Sequence, residues 1–203
     1  SGGGVMKKSK SNNYAFIDSQ NLYLGVKSQG WKIDYGRFFV YLKDKYKVDK
    51  AFLFIGYLAG NEALYTMMQK AGFILIFKPT LEVKKDNNVI IKGNVDAELV
   101  LHTMIEYQRF NQAVIVSGDG DFHCLVEYLD QKHKLLKLMV PNKHGFSRLL
   151  RKFRQYVVYI QDLREKISLK KDKKREGVTF GRTLGVPSHR DKHIIANNYN
   201  LSR

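Results

Sequence analysis

The stretch Val114-Ile115-Val116-Ser117-Gly118-Asp119-Gly120-Asp121-Phe122 restricts the architecture of this chain more than any other. It reads as a buried strand that stops abruptly at two carboxylates. Asp beside Gly commonly marks a tight turn with a helix cap, and Asp119 and Asp121 alone would need no other account. The small residues between them, however, leave nothing bulky to keep a cation or a phosphate away. Two further acids occupy comparable settings: Asp18 follows Tyr14-Ala15-Phe16-Ile17, and Asp96 follows Ile90-Ile91-Lys92-Gly93-Asn94-Val95. Three carboxylate stations at segment ends point to one acidic site.

Apolar runs and helical patterns alternate through most of the chain. Strands are expected at 14–18, 51–57, 73–77, 113–117, 135–140 and 157–160, and helices at 61–72, 96–109, 121–132 and 147–153. Between 35 and 46, Phe38, Phe39, Leu42 and Tyr46 recur at helical spacing, so that aromatic stripe is core rather than a base-stacking platform. Residues 81–85 and 89–92, joined across Asp86-Asn87-Asn88, read as a hairpin, because that triplet favours turn conformations. Such alternation indicates an α/β layered fold with a mostly parallel central sheet and a β-hairpin insertion. In these sheets ligands collect beyond the carboxyl ends of the strands, where Asp18 and residues 117–121 would lie. Residues 1–12 read as a flexible leader, 13–162 as the domain, and 163–203 as a basic extension that is either a solvated terminus or an RNA- or partner-binding arm.

The formal charge is +16, from 35 basic and 19 acidic residues. From Arg164 onward there are 11 basic and 4 acidic residues, so +9 remains on the first 163. A basic body around a local cluster of acids favours a polyanionic partner, admitted by cations that the acids hold. No apolar run approaches the roughly 20 residues that span a bilayer, and no signal-peptide pattern opens the sequence, so a cytoplasmic protein without a membrane partner is expected. The lone Cys124 is expected to be a buried thiol.

Two carboxylates about 4 Å apart repel by roughly 4 kcal/mol at an effective dielectric of 20, so the proposed cluster needs an offset. Hard divalent cations prefer oxygen ligands, which makes Asp18, Asp96, Asp119 and Asp121 candidates for holding Mg2+ or Mn2+. Glu98 is a weaker candidate, because two helical positions from Asp96 it points about 200° away.

Taken in order and spacing, Phe16-Ile17-Asp18-Ser19-Gln20-Asn21-Leu22, Lys92-Gly93-Asn94-Val95-Asp96-Ala97-Glu98-Leu99 and Ser117-Gly118-Asp119-Gly120-Asp121-Phe122 resemble the three signature blocks of the NYN domain family, in the LabA-like branch of the PIN-like nucleases. The resemblance covers residues 13–162. It implies a PIN-like, Rossmann-like three-layer sandwich and metal-dependent RNA hydrolysis, with Asp18, Asp96, Asp119 and Asp121 as catalytic and metal-binding acids. It also implies that Asn21 and Ser117 orient a water, a carboxylate or a phosphate. Many relatives carry another Asp six residues after the position of Asp96, where this chain has His102. His102 and His123 are read as structural.

Lys92, Arg148, Arg151 and Lys152, with Arg154, are candidate phosphate contacts, while Leu149, Leu150 and Phe153 must turn one side of that segment inward. The leading expectation is an endoribonuclease acting on single-stranded or structured RNA. DNA stays open because no reader of the 2′-hydroxyl is evident. A second copy of the chain, or a protein partner reached through the C-terminal extension, is compatible with this reading. Two alternatives belong to other classes: a catalytically weak nucleic-acid-binding or adaptor module on the same fold, and a Rossmann-like phosphohydrolase. The latter generally needs a second Asp two positions after the first, and Gln20 stands there.

Overall fold

The structure is a computed structural model that describes residues 12–78, 81–85, 88–92 and 95–170, with the backbone alone for 81–92. In chain order the elements are β1 (Asn13–Asp18), α1 (Ser19–Lys27), α2 (Tyr35–Tyr46), β2 (Val48–Gly56), α3 (Glu62–Ala71), β3 (Ile74–Lys78), β4 (Leu81–Lys85), β5 (Asn88–Lys92), α4 (Asp96–Ile105), β6 (Ala113–Val116), α5 (His123–Gln131), β7 (Leu135–Val140), β8 (Val157–Tyr159) and α6 (Arg164–Ile167). Short 3-10 turns cover Gly120–Phe122 and Arg148–Tyr156.

Six strands form one sheet in the order β3-β2-β1-β6-β7-β8, and every pair in it is parallel. Helices cover both faces, as parallel strands require, because each strand must bury both sides. Alternation along β1 shows the division: Ala15 and Ile17 join the cluster containing Leu22, Phe38 and Leu42, while Tyr14 and Phe16 join the one containing Leu99, Phe110 and Val126. This is the three-layer α/β sandwich anticipated from the sequence. The expected hairpin is present as the antiparallel pair β4–β5, inserted between β3 and α4.

Three local expectations are corrected. First, α4 ends at Ile105 rather than near 109. Lys134 Nζ donates to the carbonyls of Tyr107 (2.8 Å) and Phe110 (2.6 Å), drawing the exiting chain against β7 instead of leaving it helical. Second, the basic segment at 147–153 is not an α-helix but a run of 3-10 turns with a kink at Phe153. Its buried residues, Leu150 and Phe153, lie three apart, which suits three residues per turn. Third, Cys124 is exposed, because α5 turns Leu125, Val126 and Leu129 to the core and leaves its preceding position outside. Packing also continues past residue 162: Ile167 is fully buried, and Ser168 bridges to Ile33.

The centre of this construction can be tested at Phe16, fully buried on β1 with its ring stacked on Phe52 at 5.5 Å. Phe16→Ala is expected to cost about 3–5 kcal/mol in denaturant unfolding, against less than about 0.5 kcal/mol for the exposed Val40→Ala.

Candidate active site

The polypeptide reaches the site three times. β1 ends at Asp18, whose side chain caps α1 by accepting from the Asn21 N–H at 3.0 Å. β6 ends at Val116, so Ser117, Gly118 and Asp119 leave the sheet beside Asp18. The third approach is the first turn of α4, where Asp96 sits. Val95 and Leu99 anchor that turn in the same core cluster as Phe16 and Phe54.

Hydrogen bonds tie the first two approaches together. Ser117 Oγ donates to Asp18 Oδ2 (3.3 Å) and accepts from the Asp119 N–H (3.1 Å). Asn21 Oδ1 accepts from the Gly118 N–H at 2.9 Å. Asp119 in turn accepts from the Asp121 N–H at 3.1 Å, capping the 3-10 turn. Asn21 and Ser117 thus contact both the Asp18 carboxylate and the backbone that carries Asp119.

Asp18 is only 5% exposed. Burial is the main reason its carboxyl is pushed up from 3.8 to about 7, and the nearby charges of Asp96 and Asp119 push the same way. The bonds from Asn21 and Ser117 pull it down without compensating. The structure therefore brings together Asp18, Asp96 and Asp119, the three acids separated by 78 and 101 positions of sequence. Asp121 is exposed on the 3-10 turn beside them.

The glycines of this turn serve a purpose the sequence did not reveal. A Cβ on Gly118 would come within 2.9 Å of the Gly145 carbonyl oxygen, and one on Gly120 would overlap Ser147 Oγ. Their smallness admits the loop 141–147 rather than leaving room for a cation. That loop, held by the Ser147 N–H donating to the Gly118 carbonyl (3.0 Å), was missed as part of the site. Its sequence signal is the Gly-x-Gly spacing at Gly118 and Gly120.

Other candidates fall elsewhere. Glu98 pairs with Lys78 at 3.1 Å, and His102 lies against the Phe54 ring at 5.7 Å, both in packing roles. Arg148 and Arg151 are exposed, on the segment that packs against the 3-10 turn of Asp121. Lys152 is engaged by Glu127. The side chain of Lys92 lies outside the described residues.

Mg2+ and Mn2+ suit the donors, which are hard oxygens throughout. Among the described residues no group of three or more His, Cys, Asp or Glu side chains is placed to hold a metal ion. Mg2+ does not require one, since it is commonly held by one or two carboxylates with waters and phosphate oxygens completing the set. The strained, all-oxygen cluster at Asp18 fits that mode.

A family model described as NYN domain matches residues 14–161. Over 156 residues the chain is 23% identical to the low amplitude and bright protein LabA of Synechococcus elongatus, covering 73% of this chain and 83% of that protein. A crystal structure of a protein of unknown function from Vibrio parahaemolyticus superposes with a TM-score of 0.64 at 23% identity, over 80% of this chain and 98% of the other. It shares the fold. Among the described residues no helix is long and apolar enough to cross a membrane.

The strain on Asp18 predicts a pH signature. Between about pH 4 and 7 the folded state holds a proton on Asp18 that the unfolded state has lost, so stability falls as pH rises through that window and levels off above it. Asp18→Asn removes the effect. In EDTA it is expected to gain roughly 2–4 kcal/mol over wild type at pH 8 and nothing at pH 3, measured by urea unfolding.

Proposed function

The chain belongs to the NYN domain family, and from that membership together with its acidic cluster we propose that it is a metal-dependent endoribonuclease hydrolysing phosphodiesters of RNA. One observation carries the reading: Asp96 and Asp119 bear on a carboxyl that burial already strains. A fold gains no stability from such an arrangement. A cation site does, because the ion offsets the repulsion that the fold leaves standing.

One or two of Asp18, Asp96 and Asp119 would hold Mg2+ or Mn2+, with waters and phosphate oxygens completing the set and Asp121 at the exposed rim. When bound, the ion supplies charge neutralisation for the phosphate and a lowered pKa for water. The chain's own residues do the rest. Ser117 fixes the spacing of Asp18 and Asp119 by serving as donor to one and acceptor for the backbone of the other. Asn21 holds the Gly118 backbone and so the approach of the whole acidic turn.

Phosphates are gathered by the basic surface. Arg148 and Arg151 are exposed beside the loop at the site and make no ion pair among the described residues, whereas Lys152 is partly neutralised by Glu127. Lys92 and the basic extension add to that field, DNA being a second polyanion it would attract. A cytoplasmic location accords with this substrate.

A second reading is a binding module on the same fold that does not turn RNA over. His102, packed on the Phe54 ring at the position where many relatives carry a further acid, favours it. Salt-sensitive RNA binding without cleavage in any divalent metal would select it.

In cleavage assays with Mn2+, Asp119→Asn is expected to lower the rate by at least about 100-fold. Equal rates for variant and wild type would refute the proposed site. Deleting residues 171–203 is expected to flatten the dependence of RNA affinity on salt; an unchanged slope would remove the extension from the binding surface.

A further inference from the structure

Helix α4 is apolar on the side facing away from the sheet as well as on the side packed against it. Inward, Leu99 and Thr103 are fully buried. Outward, Leu101 is 58% exposed, Ile105 54% and Met104 39%, with Ala97 exposed one turn before Leu101. A helix on the surface of a lone domain turns polar residues to water, whereas one that is apolar all round has both faces covered. The patch continues on either flank. Ile74 on β3 is exposed two residues from Ile76, which packs in the same cluster as Leu99, and Tyr128 on α5 is exposed against the Tyr107 ring at 5.7 Å. At about 150–250 Å2 for a large side chain, these residues present on the order of 450 Å2, the size of apolar patches that serve as interaction sites. That is about half of the roughly 800 Å2 that each side of a standard interface buries.

Charge selects the occupant. At +16, two copies of the chain repel over most of their surface. Between Lys92 and Arg109, however, no Lys or Arg occurs. The acids of α4 are engaged off the outward face: Glu98 with Lys78, Glu106 with Arg109, and Asp96 beside Asp18. Ala97, Leu101, Met104 and Ile105 are uncharged, so two copies meet here without repulsion at the contact itself. The ends of the chain fit the patch poorly. The segment after α6 leaves beside α2, in the layer on the opposite face of the sheet. The residues before Asn12 offer only Val5 and Met6 as large apolar side chains.

We propose that α4 is the interface of a homodimer, packed antiparallel on α4 of a second copy across a two-fold axis. Ala97, Leu101 and Met104 recur at intervals of four and three, the seam by which paired helices interlock. In the antiparallel arrangement Leu101 lies beside Met104 of the partner subunit, and the two helix dipoles oppose each other favourably. The contact uses the same patch on both copies, so assembly closes at two. Asp96 stands in the first turn of this helix, so the second copy braces from outside the element that presents it. The inference does not depend on the nuclease reading.

The test is sedimentation equilibrium of the full chain at about 0.5 M salt, which suppresses association through residual RNA. Over about 1–50 μM the wild type is expected to be a dimer whose melting temperature rises with protein concentration. Leu101→Glu puts like charges into the seam from both copies and is expected to raise the dimer dissociation constant at least about 30-fold. Val40→Glu on α2, at a position 54% exposed, is expected to leave the dimer intact. A second readout needs no weakened interface. Chains carrying Leu101→Cys, mixed with chains carrying Met104→Cys and both with Cys124→Ser, are expected to form covalent dimers on mild oxidation faster than either chain alone. A monomer throughout the concentration range assigns the patch to a different protein and overturns the proposal. So does association that Leu101→Glu leaves unchanged or Val40→Glu weakens equally, assembly beyond two subunits, or no preferential cross-link in the mixture.

Discussion

The parallel pairing of β1 with β6 at the centre of the sheet is what the rest of the site depends on. Their register sets Ile17 opposite Val116, so the next residues, Asp18 and Ser117, leave the sheet at the same end and side by side. Parallel strands alone have this property, since antiparallel neighbours would send the two chain ends in opposite directions. The register is held by residues with no chemistry of their own. Ala15, Phe16 and Ile17 on one strand and Val114, Ile115 and Val116 on the other are all fully buried. Slippage by one position would turn these side chains to the wrong faces, so core packing and site geometry are a single constraint.

That constraint carries an electrostatic cost. Asp18 is nearly as buried as the apolar residues preceding it, and the bonds from Asn21 and Ser117 only partly stabilise its charged form. Residues that destabilise a fold at one end of an otherwise well-packed sheet are typical of sites where function and stability compete. The same bonds serve both sides of that competition. Ser117 moderates the strain on Asp18 while it orients Asp119, and Asn21 donates its N–H to the Asp18 cap while its Oδ1 grips the turn after β6.

The loop 141–147 adds a second layer of support. It reaches the acidic turn only because Gly118 and Gly120 lack side chains, and it reaches α1 only because Gly25 does. Two neighbouring glycines and a third far away in sequence thus let one loop touch both sides of the site. A groove beside the acids is a consequence, its far wall being the same loop and its near wall the same helix that Asp18 caps.

Much of this was legible in the sequence because it is written in local patterns. Continuous apolar runs such as Val114–Val116 required strands buried on both faces, and their alternation with helical spacing required a parallel sheet. Acids following such runs, Asp18 and Asp119, had to lie beyond the carboxyl ends of the parallel strands, whereas Asp96, which follows the separate β4–β5 hairpin, joins them from the first turn of α4. The sequence could not give the distances between elements far apart in the chain. Whether Gly118 and Gly120 faced a cation or a loop, whether Lys152 was free or engaged by Glu127, and whether Glu98 faced the acids or Lys78 depended on neighbours 20 or more residues away. The outward turn of Cys124 and the three-residue period of Leu150 and Phe153 were decided the same way, by which side of each segment found a core to pack against. Periodicity along the chain determined the kinds of element and the end of the sheet where chemistry collects, whereas tertiary packing alone decided which side chains there are spent on one another and which remain free to meet a ligand.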